Sequence, residues 1–138
     1  MGAYEVIDHT ADVGIVVHAA TLPELFETAA EGMFSFIMDA GSVENRAWVE
    51  RTVEADDLAG VLVAWLNDLL AVFSAESFVP KVFVVDEVSG SRLRATVHGE
   101  PVDPTRHTFH LDVKAATYHQ LEVVRDDGGW HARVIFDV

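Results

Sequence analysis

The sequence predicts an α+β fold, two helices packed on a mostly antiparallel sheet, and three observations carry that prediction. Two stretches, residues 22–37 and 58–75, repeat apolar residues at helical spacing; the other apolar runs are short or alternate with polar residues; and these strand-like runs outnumber the helices and gather after the second one. Each half of the chain has a helix following strands. That order leaves room for a duplicated strand-helix-strand-strand unit, although no residue-level repeat accompanies it.

Residues 4–7 form the first expected strand and residues 14–20 the second, where Ile15, Val16 and Val17 are too continuous for a half-exposed strand. Thr21-Leu22-Pro23-Glu24 reads as a helix start: the threonine caps, the glutamate three residues on returns the bond, and proline is tolerated in the first turn. Leu22, Leu25, Phe26, Ala29, Ala30, Met33, Phe34 and Ile37 then make one broad apolar stripe. Gly32 inside it costs about 1 kcal/mol relative to alanine and marks close backbone packing. Met38-Asp39-Ala40-Gly41 ends the helix and leaves the Asp39 carboxylate at the negative end of the helix dipole, an unfavourable place without compensation. Residues 48–54 are expected as a strand with one exposed face. Asp56-Asp57 marks the start of the second helix, which is apolar around most of its circumference and therefore central to the core, with Asn67 and Asp68 as a small solvated window. Strands over 79–88 and 93–98 flank the turn signal Ser89-Gly90-Ser91, and residues 99–104 read as a loop with two prolines. Residues 108–114 alternate Phe109, Leu111 and Val113 with His110 and Asp112, the pattern of a half-buried strand. Asp126-Asp127-Gly128-Gly129, between runs at 121–124 and 130–136, is a hairpin signal.

Half of the 138 residues are apolar, enough for the core of one domain spanning residues 1–138. There is no cysteine, which removes disulfides, thiolate metal sites and cysteine nucleophiles and suits a reducing compartment. No basic-then-apolar leader pattern is present, and Asn67 and Asp68 interrupt the longest apolar run, so a cytoplasmic protein without a membrane span is expected. The formal charge is -14, from 9 Lys and Arg against 23 Asp and Glu. A surface of that sign repels phosphate backbones, which argues against direct nucleic-acid binding and for a basic protein partner or a divalent cation. Solubility alone would account for the same charge.

The polar groups of a sheet-rim site sit in Asp8-His9-Thr10-Ala11-Asp12-Val13-Gly14, between the first two strands, and in the terminal Phe136-Asp137-Val138. Asp8, His9, Asp12, Asp39 and Asp137, with the C-terminal carboxylate of Val138, are candidate ligands for a hard cation such as Mg²⁺, Mn²⁺ or Ca²⁺. The plain alternative makes Asp8 and Asp12 turn or cap residues. Lys114-Ala115-Ala116-Thr117-Tyr118-His119 concentrates a base, a hydroxyl, a phenol and an imidazole. Either His119 with Lys114 serves acid-base chemistry, or Tyr118 is core with a bonded hydroxyl and Lys114 pairs with an acid. His18, His98, His107, His110 and His131 are scattered and read as structural; His107 and His110, three apart on a strand, point to opposite faces. No Gly-rich phosphate loop, nucleophile elbow or basic aromatic RNA platform is present.

Several separated segments, in order, together resemble the archease family. They are Tyr4-Glu5-Val6-Ile7-Asp8-His9-Thr10-Ala11-Asp12-Val13-Gly14, Met38-Asp39, Trp65-Leu66-Asn67-Asp68-Leu69-Leu70, Gly99-Glu100-Pro101, Lys114-Ala115-Ala116-Thr117-Tyr118-His119 and Phe136-Asp137-Val138. The likeness covers essentially the whole chain. It implies a small acidic protein that is not an enzyme but a cofactor of the RtcB-type tRNA-splicing ligase, which joins cyclic-phosphate and hydroxyl RNA ends with GTP and Mn²⁺. By the same resemblance, the protein speeds guanylylation of the ligase's histidine, supports multiple turnover and broadens nucleotide use. A divalent-metal site is implied at Asp12, Asp39 and Asp137, with His9 and the Val138 carboxylate as further donors and Lys114, Thr117, Tyr118 and His119 as surrounding or partner-contacting groups. Gln120 departs from the family pattern, where a small residue is expected after Tyr-His, and bears on the local turn. Three carboxylates brought together call for a cation, since each raises the others' pKa. Two other readings stay open: a metal-dependent phosphoesterase or hydrolase with His119 or Lys114 as acid or base, and a chaperone or scaffold for RNA-modifying proteins.

Overall fold

The computed structural model describes residues 2–8 and 12–138, with the backbone alone for Asp8. Strands β1 (Ala3–Asp8) and β2 (Asp12–Ala19) open the chain and pair antiparallel. Helix α1 (Leu22–Ile37) is capped by Thr21, whose hydroxyl accepts from the Glu24 N–H at 3.4 Å. A 3-10 turn at Ala40–Ser42 leads to β3 (Ala47–Glu54). Asp57 caps α2 (Leu58–Ala75) by accepting from the Gly60 N–H at 2.7 Å. The chain then runs through β4 (Phe78–Val88), β5 (Arg92–Pro101), the two-residue β6 (Ala115–Ala116), β7 (Glu122–Asp126) and β8 (Gly129–Asp137).

The strands divide into two sheets, and every ladder between them is antiparallel. In the larger sheet β1, β2 and β8 lie side by side, and the far edge of β8 carries β7 along its first part and β6 at its end. The smaller sheet has the order β3-β5-β4. Both helices touch both sheets, so the helix pair is a middle layer and its apolar faces are covered twice. Among the described residues the strand-helix-strand-strand unit occurs once, as β3-α2-β4-β5, while the first part of the chain runs β1-β2-α1.

This layering explains why α2 is apolar nearly all round. The helix has the length and composition of a membrane-crossing segment, and its Val61, Leu62, Trp65, Leu66 and Leu69 are taken up by the core. The indole of Trp65 fills that core while its N–H donates to the Phe26 carbonyl at 3.0 Å, fastening α2 to α1. A Cβ at Gly32 would stand 3.1 Å from the Tyr4 ring and 3.2 Å from Ile15, so α1 lies directly on β1 and β2 as the glycine implied.

Three local expectations are corrected. Asn67 and Asp68 are not a solvated window. The Asn67 carboxamide accepts from the Ala116 N–H at 2.8 Å and donates to the Ala116 carbonyl at 3.2 Å, and Asp68 takes both arms of the Arg51 guanidinium at 2.7 and 2.8 Å. Residues 108–114 are not a strand. Their alternation is real, but the backbone bonds the end of α1: the His110 N–H donates to the Ile37 carbonyl at 2.7 Å and the Leu111 N–H to the Phe36 carbonyl at 3.1 Å. The expected loop at 99–104 begins three residues late, because β5 continues through Pro101. A Cβ at Gly99 would stand 1.9 Å from the Val79 carbonyl oxygen, so a side chain there would force β4 and β5 apart.

Candidate functional site

The fold gathers one end of the larger sheet into an acidic rim. Thr28, Gly32 and Phe36 of α1 lie successively against Gly2, Tyr4 with Ile15, and Phe136. The helix therefore runs parallel to β1 and delivers its C-terminus to the end where β2 begins and β8 stops. In the register of those two strands Asp12 lies directly opposite Asp137, so both carboxylates project from the same face of the sheet. That face is the reverse of the one on which Val13 and Phe136 meet the core. Residues 109–114 cross from the end of α1 to the end of β8, where the Lys114 N–H donates to the Asp137 carbonyl at 2.8 Å. Ala115 pairs with Asp137 on its other side.

Asp39 reaches the same rim by a different route. Its side chain is 84% exposed, and among the described residues it meets His110, with Nε2 3.5 Å from Oδ2. Its backbone carbonyl accepts from the Ser42 N–H at 3.1 Å and from the Ser42 hydroxyl at 2.8 Å, which fixes the turn after the helix. Among the described residues no group of three or more His, Asp or Glu converges as a metal set: Asp12 faces Asp137, while Asp39 stands with His110. His9, Thr10, Ala11 and the Asp8 side chain, also named from the sequence, lie outside the described residues. Val138 packs its side chain against the core beside Asp137.

The 114–119 segment is a brace. Thr117 holds β8 through its N–H and its hydroxyl, both donating to the Ile135 carbonyl at 3.0 and 2.8 Å. Tyr118 is 68% exposed and is not a core residue. Lys114 and His119 are exposed, and among the described residues Lys114 has no acid within ion-pair distance. Neither the acid pairing expected of Lys114 nor an acid-base pair of Lys114 with His119 is found there. Gln120 sits at φ 52°, in the left-handed region, within a turn closed by the Leu121 N–H to the Tyr118 carbonyl at 3.2 Å.

The most enclosed polar centre among the described residues was missed by the sequence reasoning. Glu100 is 1% exposed at the end of β5. Its carboxylate accepts from the Arg106 guanidinium, from the Glu44 N–H at 2.7 Å and from His107 Nε2 at 3.0 Å. His107 Nδ1 itself accepts from the Asp103 N–H at 2.9 Å, which sets the tautomer that carries its proton on Nε2. Hydrogen bonds from Arg106 first, then from the Glu44 backbone and His107, lower the Glu100 carboxyl to about 2 against an opposing push from burial. This centre ties residues 44–46 to residues 103–107, the segments next to Asp39 and His110. The signal available was the pairing of a lone glutamate with a histidine and an arginine a few residues on. His131 is likewise bound, between Asp126 at 2.8 Å and Glu122 at 3.0 Å, and these hydrogen bonds raise its pKa.

The archease protein family (MTH1598/TM1083) matches residues 4–138 of this sequence. The chain belongs to the archease family. It is 38% identical to the archease of Methanopyrus kandleri over 98% of this chain and 99% of that protein. It is 37% identical to the archease of Methanosarcina acetivorans over 98% and 95%. The solution structure of protein 1598 from Methanobacterium thermoautotrophicum superposes with a TM-score of 0.80 at 31% identity, covering 98% of both chains. A Thermotoga maritima archease, described with its crystal structure as a possible chaperone, shares the fold at a TM-score of 0.67 and 20% identity, over 96% of this chain and 94% of that one. The archease fold is thus the helix pair between two antiparallel sheets described above.

Proposed function

We propose that this archease family member is an activating cofactor of an RtcB-type RNA ligase in tRNA splicing or RNA repair. It promotes GTP-dependent guanylylation of the ligase and multiple turnover through a divalent cation at the acidic rim. The observation that carries this reading is the register that sets Asp12 opposite Asp137. Like charges facing each other across a ladder repel, and a cation between them turns that repulsion into attraction. The aspartates and the C-terminal carboxylate are oxygen donors, which suits Mg²⁺, Mn²⁺ or Ca²⁺. Asp12 and Asp137 would hold the ion, with Asp39, the Val138 carboxylate and His9 as remaining donors. Bound there, it supplies positive charge that can act on phosphate oxygens at a partner's active site.

The chain's own residues do the positioning. Lys114 and Ala115 fix the backbone of Asp137, Ser42 fixes the turn at Asp39, and the -14 surface steers the protein toward a basic face. Replacing Asp137→Ala should abolish the acceleration of ligase guanylylation measured in a single turnover with GTP and Mn²⁺. Unchanged acceleration would remove the rim from the mechanism. A second reading, a chaperone for the partner, is favoured by the description of the Thermotoga maritima relative. It predicts that a chelator leaves the partner effect intact.

A further inference from the structure

We infer that a cleft beside the rim is a socket for one long cationic side chain, lysine or arginine, projecting from a basic protein partner. The cleft, about 350 Å³, lies between α1 and β4 and ends at Asp39. Its floor is apolar: the buried rings of Phe34 and Phe83 stack with centroids 5.8 Å apart. The half-exposed ring of Tyr4 stands on one side. Glu31 and Asp39 supply carboxylates along the α1 side.

Among the described residues these carboxylates have no Lys or Arg partner, and Asp39 meets only His110. Partial burial, with Glu27 nearby, raises the pKa of the Glu31 carboxyl. Five of the chain's cations, Arg46, Arg51, Arg94, Arg106 and Arg133, pair with other acids. Lys81 lines the cleft, but its ammonium donates to the Val43 carbonyl at 2.6 Å.

An apolar floor, an aromatic side and unpaired carboxylates suit an amphipathic cation. Its methylene stem covers Phe34 and Phe83, and its charged head lies among Tyr4, Glu31 and Asp39. Other occupants fit less well. A phosphate-bearing ligand meets the carboxylates, a neutral apolar ligand leaves Glu31 desolvated and unpaired, and a second copy brings another charge of -14. That the partner is the ligase rests on the function proposed above; the chemistry of the cleft does not.

The socket is tested without the ligase by titrating the protein with an acetylated, amidated Gly-Arg-Gly peptide and following backbone amide NMR shifts. Saturable shifts are expected at Tyr4, Phe34 and Ser35, lost in Glu31→Gln and absent with Gly-Glu-Gly. No shifts, or shifts scattered over the other acids, would overturn the inference. In direct binding to the ligase, Glu31→Lys should weaken affinity about tenfold, as a favourable contact becomes a like-charge one. Asp127→Lys, the same charge change on the exposed hairpin, should stay within about twofold. Equal losses would mean that only net charge matters, which would also overturn it. A peptide that seats while the ligase binds neither wild type nor variant leaves the socket standing and removes the ligase reading. Neither substituted position lies in the core, and circular dichroism melts check that the variants fold.

Discussion

Protonating Glu100 would leave the Arg106 guanidinium, the Glu44 N–H and the His107 N–H around a neutral carboxyl in a closed space. The folded carboxyl titrates at about 2, below its ordinary 4.5. Its contribution to stability is therefore complete above pH 4.5, shrinks as pH falls, and is gone below about 2. Glu100→Gln should be less stable than wild type at neutral pH, and the gap should close across that window. Urea midpoints at half-unit steps of pH check it; a gap independent of pH would show that the charge is not what the centre uses. Gln120, at φ 52°, has the positive angle that position i+2 of a type II turn requires and that glycine adopts without strain. Gln120→Gly should raise the urea midpoint by the equivalent of about 1 kcal/mol with an unchanged slope. The departure was visible in the sequence as an unexpected residue after Tyr118-His119, but its backbone angle was not. Glu100 illustrates the other limit. Its partners are six, seven and fifty-six residues away, and only folding puts them around one carboxylate.

Among the elements, β6 depends most on a side chain. Its two residues pair with β8 on one side, and on the other Asn67 of α2 takes the place of a strand by bonding both the N–H and the C=O of Ala116. Asn67→Ala strands two polar backbone groups at a residue only 4% exposed. At about 1–3 kcal/mol for an unsatisfied buried group, it should cost on the order of 2–3 kcal/mol. Hydrogen exchange at Ala116 should accelerate more than at mid-strand positions of β8; uniform acceleration would mean a global rather than local effect. The helices and the β7–β8 hairpin were legible because their periodicity and caps are local. Residues 108–114 were not, because alternating hydrophobicity does not say what the backbone bonds to. The same alternation arises when a segment bonds the end of a helix, as it does at Ile37 and Phe36.

For the molecule as a whole, a divalent cation held at the acidic rim, as proposed above, would couple stability to metal concentration. In a chelator, Asp137→Asn should melt slightly higher than wild type, since facing like charges cost about 0.2–1 kcal/mol. At a Mn²⁺ concentration about 100 times Kd, wild type should gain about 2.7 kcal/mol and the variant little. Scanning calorimetry with and without Mn²⁺ reads both signs. Identical gains in wild type and variant would place the cation elsewhere.

By itself the sequence determined the two helices, the antiparallel strands, the hairpin and the family, since each is written in local spacing or in motifs that survive in order. It also marked Asp12, Asp39 and Asp137 as the acids to watch. Only the tertiary structure decided that the strands split into two sheets around the helix pair, that Asp12 faces Asp137 while Asp39 stands with His110, and that Glu100 is enclosed. Those outcomes depend on register and on contacts between distant residues, where a shift of one position would turn a carboxylate to the opposite face.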